Sequence, residues 1–279
     1  MKLHVTHLTR FTYSQPVREE VMECRFGPFS DADQRWDRFE LRVKPSASIR
    51  SYVDAFDNSG YLVTLVAPHE TIELVTRSEV TTLLANPFEP LPTPPTPLTP
   101  SERFDYLSPS RLVGADPRLA EMAEPHRPAE PANEFDSAIA LADLVHDSFI
   151  YQRGTTTTRT TVADVLDMKT GVCQDFAHVL IGLCRAVSLP ARYVSGYVAG
   201  DALIHQPEQL PSASHAWAEI FTSTHGWRGF DPANHLLAGE QHVKVGVGRD
   251  YTDLPPTNGT FRGGASQSLT VEVAIQPHA

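Results

Sequence analysis

Cysteine, histidine and a carboxylate together carry nucleophilic acyl chemistry, and the second half of this 279-residue chain offers all three. Cys173 follows Gly171 at the head of an apolar stretch, Thr170 to Val187, with helical spacing. At about 100° per residue, Phe176, Ala177, Leu180, Ile181, Leu183, Cys184 and Val187 share an arc with Cys173. Gln174, Asp175, His178, Gly182 and Arg185 fall opposite, the pattern of an amphipathic helix. In a helix's first turn, unpaired N–H groups and the positive dipole end favour a thiolate and can bind an oxyanion. The plain alternative for Cys173 is a small buried hydrophobe. Cys184 is 11 residues further on, about 16 Å along the axis, so the two cannot form a disulfide within one helix. Cys184 and Cys24 read as core.

A reactive cysteine needs a base, and the base needs an orienting group. Strand alternation through Ser214 to Phe221 puts His215, Trp217, Glu219 and Phe221 on one face, and Ser214, Ala216, Ala218 and Ile220 on the other. The chain turns over 222–226 into Trp227-Arg228-Gly229-Phe230-Asp231. If Phe221 pairs with Trp227, Asp231 lies opposite Trp217 and diagonally beside His215; a one-residue slip separates them. Glu219 shares the face of His215 and competes as orienter. Asp231 is preferred because Pro232 ends the strand there. A half-buried hairpin with an incidental His and Asp is the alternative.

Other chemistries find less support. The 12 histidines include His205, His215, His225, His235 and His242, but no H-x-x-x-H or Cys-x-x-Cys pair occurs, and Cys173 and His178 diverge on their helix. No metal site is expected, no loop of spaced carboxylates suggests calcium, and no cofactor is called for. Phosphate-loop and dinucleotide fingerprints are missing: Arg262-Gly263-Gly264 leads into a strand. The 155–161 threonine run reads as a solvated loop.

Around these residues the sequence reads as α+β. The formal net charge is -11, from 23 Lys+Arg against 34 Asp+Glu, with no basic block, which argues against nucleic acid or an anionic membrane as partner. No stretch approaches the roughly 20 apolar residues of a membrane span. Three cysteines make no disulfide framework, and 1–11 do not read as a secretory signal, so a cytoplasmic location is expected. Of 23 prolines, 12 lie between Pro87 and Pro131, seven of them in 86–100, a run that excludes helix and central strand and reads as an extended connector. This sets expected units at 1–90, a β-rich domain with strands near 2–13, 37–45, 60–66 and 71–84; 91–131, the connector; and 132–279, the catalytic unit. In the last, helices are expected over 136–150, 161–168 and 173–187, and strands over 191–198, 214–221, 227–231 and 268–275.

Gly171-Val172-Cys173-Gln174-Asp175-Phe176-Ala177-His178, Leu189 to Tyr197, Ser214 to Glu219, Gly226 to Asn234 and Val247 to Tyr251 together resemble the transglutaminase-like superfamily, specifically the bacterial proteins with an N-terminal β domain. The blocks run in the family's order over most of 135–265, and the first 85 residues look like its sandwich-like N-terminal domain. The resemblance implies a papain-like core, its catalytic cysteine at a helix N-terminus packed on an antiparallel sheet, and a triad falling on Cys173, His215 and Asp231. It also implies acyl transfer from a peptide or protein amide through a thioester. The oxyanion would be held by the Cys173 N–H and a second donor, Tyr151 or Gln152. Arg192, Tyr193, Asp250 and Tyr251 are candidates to line the cleft, although Arg192 and Tyr193 also fit as plain strand residues. Such families hold crosslinkers, peptidases, amidases and members without chemistry. Hydrolysis is the expectation here, with amine transfer and a non-catalytic peptide-binding module as alternatives; oligomeric state is not encoded legibly.

Overall fold

The computed structural model describes residues 1–199 and 214–277. Its N-terminal part is organised by one long strand, β1 (Lys2–Cys24), followed by β2 (Gln34–Lys44), β3 (Ser48–Val53), β4 (Ser59–Leu65) and β5 (His69–Thr82). Leu3, Val5, His7, Thr9, Phe11 and Tyr13 alternate inward along β1, the period-2 pattern of a half-buried strand. The first half of β1 pairs antiparallel with β5; after a register shift between Thr12 and Val17, the second half pairs with β4. One strand therefore serves two sheets, and Phe11, Val17, Met22, Val63, Ile72 and Leu74 fill the space between them. This is the sandwich-like unit expected, with β3 as a strand the sequence reading did not separate.

Residues 86–99 form neither helix nor strand, as their prolines require. The rest of the expected 91–131 connector is different. It folds into α1 (Pro100–Leu107) and α2 (Pro117–Ala123), each with proline in its first turn, where the missing N–H costs nothing. Thr99 and Glu102 cap α1 reciprocally, and Asp116 caps α2. Leu119 and Ala123 are buried in the second unit's core, and the buried Tyr106 packs edge-on against Trp227, so this stretch belongs to the second unit.

The second unit continues with α3 (Glu134–Ser148), β6 (Ile150–Tyr151), α4 (Val162–Met168), β7 (Thr170–Gly171), α5 (Cys173–Ala186), β8 (Ala191–Val198), β9 (His215–Thr222), β10 (Gly226–Asp231), β11 (Leu236–Leu237) and β12 (His242–Gly248). The last five strands form an antiparallel sheet ordered β11-β10-β9-β8-β12. Helix α5 packs on one face, where Ala191, Tyr193, Ala216, Ala218, Ile220 and Phe230 meet Phe176, Leu180 and Leu183. Among the described residues, no helix is long and apolar enough to cross a membrane.

The C-terminal strands correct the expected 132–279 unit. β13 (Thr257–Arg262) and β14 (Gln267–Pro277) return to the first unit and pair antiparallel with the two halves of β1. Alternation marks a strand but not the sheet it joins, because its pairing partner lies some 250 residues away in sequence. The two units also meet directly. Among the described residues β12 is the edge of its sheet, and side-chain amides of the first unit satisfy its outward backbone. Asn58 Nδ2 donates to the Val247 carbonyl (2.8 Å) and its Oδ1 accepts the Val247 N–H (2.7 Å). Gln34 does the same at Lys244 (2.7 and 2.8 Å). Two amides thus stand in for the missing neighbour strand and cover an edge that would otherwise be open to pairing.

Candidate active site

Cys173 is the first residue of α5, after Val172 in extended conformation. No side chain caps the helix from Val172; instead Asp175 reaches back, its Oδ2 accepting the Val172 N–H (2.8 Å) and the Thr156 hydroxyl (2.7 Å). Gly171 permits this, since a Cβ there would lie 2.7 Å from Asp175. Tyr151 runs parallel beside Gly171, and the Gln152 N–H donates to the Gly171 carbonyl (2.8 Å). Cys173 is partly exposed, whereas Cys24 and Cys184 are fully buried. Burial pushes the Cys24 thiol up to about 12 and that of Cys184 further up, so neither is a nucleophile at neutral pH.

The amphipathic reading of α5 needs correction. Asp175, His178 and Gly182, placed opposite the apolar arc, are buried as well. Leu119 of α2 and Val113 sit against Gly182, where a Cβ would lie 2.8 Å from Leu119. The helix is sandwiched between the sheet and the 107–123 stretch.

In the hairpin, Trp227 lies opposite Phe221 and Phe230 opposite Ala218, the register that sets Asp231 beside His215. His215 Nε2–H donates to Asp231 Oδ2 at 2.7 Å. This leaves Nδ1 as the ring nitrogen available to Cys173, which lies close enough to raise the imidazole. Asp231 is wholly buried, and Asn234 holds it twice, its side-chain N–H on Oδ2 (2.7 Å) and its backbone N–H on Oδ1 (3.2 Å). Burial favours neutral Asp231, but the His215 charge, its hydrogen bond and the nearby His242 outweigh this and hold the carboxyl well below its usual range. Burial likewise pulls His215 down, and Asp231 and Cys173 override it, so the imidazole is pushed up to about 10. Trp217 lies across the sheet between two glycines: a Cβ on Gly196 would come within 2.6 Å of its ring, and one on Gly229 within 3.0 Å. Its ring stacks 6.2 Å from that of His215.

Glu219, the competing orienter, is spoken for. Arg192 Nε donates to its Oε2 (2.7 Å), and Lys244 Nζ sits 2.5 Å from Oε1 while also pairing with Asp31. Despite burial, these two cations hold Glu219 down at about 2. Arg192 is therefore not free to line a cleft: it is held between Glu219 and the Trp227 ring 4.1 Å away. Asp250 is also removed from that role. Its buried carboxylate caps a short helical turn through the Thr252 N–H (2.7 Å) and hydroxyl (2.5 Å), and accepts the Leu112 N–H (2.8 Å). Tyr193 and Tyr251 stay near the thiol side: their rings lie 6.3 Å apart. Burial and then Cys173 drive the Tyr193 phenol well above its ordinary range. Tyr151 is half-buried and raised by burial and by Cys173, whereas Gln152 is exposed.

Of the other histidines, His178 accepts the Tyr251 N–H (3.1 Å) and His235 pairs with Asp143 (3.0 Å). His205 lies outside the described residues. Among the described residues no group of three or more His, Cys, Asp or Glu could hold a metal ion. Sequence reasoning gave no role to Asn234 or Asp175 and saw His242 only as a possible ligand. Asp175, three residues after Val172, carried the one usable signal, the N3 carboxylate of a capping box.

A partly exposed cysteine at a helix start, an imidazole at its side and a buried carboxylate behind that imidazole, on a helix-and-antiparallel-sheet core, define a papain-like thiol site. The transglutaminase-like superfamily model matches residues 123–232, and the bacterial transglutaminase-like N-terminal region matches 3–81. An uncharacterised protein of Mycobacterium leprae is 30% identical over 98% of both chains. The chain belongs to the transglutaminase-like superfamily, and this membership supports cysteine-dependent acyl transfer as its reaction class. A Pseudomonas aeruginosa protein-glutamine gamma-glutamyltransferase is 26% identical over 53% of this chain and 24% of its own length. A crystal structure from Cytophaga hutchinsonii, of a protein provisionally described as a cysteine protease, superposes with a TM-score of 0.78 over 100% of this chain and 92% of its own, at 24% identity, and shows the same fold.

Proposed function

We propose that this protein cleaves peptide amide bonds through a thioester on Cys173 and passes the acyl group to water. The observation that carries the reading is the 2.7 Å bond from His215 Nε2–H to the buried Asp231, which leaves Nδ1 available to the nearby thiol. With the imidazole raised to about 10, Nδ1 already holds the proton it shares with Cys173 at neutral pH; it keeps that proton as sulfur attacks the carbonyl carbon, and gives it to the departing amine as the C–N bond breaks. Asp231 stays ionised and supports the imidazolium. The oxyanion is met by the Cys173 N–H and by Tyr151, whose phenol remains protonated because burial and the nearby sulfur both oppose its ionisation. A water molecule, deprotonated by His215, then attacks the thioester carbonyl and releases the acid and the thiol.

Water is favoured as acceptor because the thioester would form at a partly exposed sulfur. An amine must be bound there to compete with bulk solvent. The second reading, transfer to an amine, is supported by the similarity to the Pseudomonas glutamyltransferase. Incubation with a peptide library, with and without a primary amine, separates them by mass spectrometry. Free acids in both samples support hydrolysis and amine adducts support transfer. Neither product, with Cys173 intact, would overturn both readings in favour of a peptide-binding module.

A further inference from the structure

His242 stands at the start of β12, away from every motif that marks the site, yet its buried ring reaches the back of Asp231. Its Nε2 lies 3.5 Å from Asp231 Oδ2, an ion-pair distance without hydrogen-bond geometry, and has no hydrogen-bond partner. The Gly239 N–H donates to Nδ1 (3.4 Å), which leaves the ring proton of neutral His242 on Nε2, pointing at the carboxylate. The ring is steadied edge-on against Trp217, at 5.1 Å and 80°. A cavity of about 30 Å³ bounded by Trp217, Glu219, Lys244 and His242 lies beside the ring.

We propose that His242 is a positioning residue of the reactive set, sharing the Asp231 carboxylate with His215 through a second imidazole N–H. This rests on the reading of Cys173, His215 and Asp231 as that set. The groups facing His242 are His215 and Glu219 on β9, Asp231 on β10, Lys244 on its own strand and Asp33 of the first unit. Lys244 and Glu219 compensate each other, so Asp231 dominates. Burial keeps His242 uncharged despite Asp231, so it acts as a neutral donor. A neutral donor binds the carboxylate most strongly when His215 is uncharged, and so eases proton release from an imidazolium that Asp231 would otherwise hold too tightly. A general acid works best when its proton is not held far above the working pH.

The test is an ¹⁵N NMR titration of the His215 ring in a Cys173→Ala background, which removes the sulfur's upward pull and lowers the titration. Replacing His242 by Phe is expected to raise the His215 midpoint by about half to one pH unit. His242→Gln, which keeps an N–H donor, should shift it less than half as far, and His242→Leu replaces Phe if the larger ring does not fit. A merely structural role would leave the midpoint in place. An unchanged or lowered midpoint in the Phe or Leu protein, with Cys173 of the parent still reactive, overturns the inference. If His215 titrates like an isolated imidazole and Cys173 of the parent is inert, the thiol-enzyme reading falls, and this one with it.

Discussion

On the side of the five-stranded sheet that α5 covers, β9 gives Ala216, Ala218 and Ile220 to an apolar core, and β10 gives Phe230. On the opposite side the same two strands carry His215, Trp217, Glu219 and Asp231, buried among Arg192, Lys244 and His242. The first face holds the helix by shape alone. The second is buried because the N-terminal unit closes over it, with Asp31 pairing to Lys244 and Gln34 bonding its backbone. In a buried layer each charge needs a partner. Glu219 has two permanent cations, whereas Asp231 has a partner that can lose its proton. That difference separates a structural carboxylate from a chemical one, although the two lie on one face of one hairpin.

Substitutions can break this contrast in steps. Asp231→Asn should have the largest effect. With burial unopposed by that anion, the His215 imidazole falls from about 10 toward or below 6.5, and alkylation of Cys173 should slow on the order of 10³-fold or more while the circular dichroism stays unchanged. Less than a tenfold loss, or a greater loss from Glu219→Ala, would transfer the orienting role to Glu219. Glu219→Ala should instead cost stability, about 3–5 kcal/mol in urea unfolding, because Arg192 and Lys244 are left buried without it. The pH dependence follows in sign. Glu219 is depressed from 4.5 to about 2 on folding, so its contribution is complete above 4.5 and is lost as pH falls toward 2. The variant should therefore show a flatter acid limb. Asn58→Ala, which frees both polar groups of Val247, should cost about 1–3 kcal/mol. On the helix face, Ile220→Val should cost only about 1 kcal/mol and leave the Cys173 alkylation rate unchanged.

What the sequence made legible follows from the range of its signals. Period-2 alternation and a short turn fix which residues of a hairpin share a face, and so place His215 and Asp231 together from sequence alone. Helical spacing likewise placed Cys173 at the start of α5. Neither signal reaches across the chain. Nothing local says that β14 crosses back to β1, that α2 covers the second face of α5, or that Asp250 caps a turn while a lone histidine on an edge strand touches Asp231. Arg192 misled because a polar residue on a strand looks the same from sequence whether it faces a cleft or a buried partner.

The most direct measurement of the Cys173–His215 pairing is site-resolved alkylation by iodoacetamide at pH 6. The expected result is that Cys173 takes the label faster than a free peptide thiol at the same pH, that His215→Gln removes this advantage, and that Cys24 and Cys184 stay unlabelled in the folded protein. Labelling of Cys24 or Cys184 ahead of Cys173, or a Cys173 rate indifferent to His215, would contradict it.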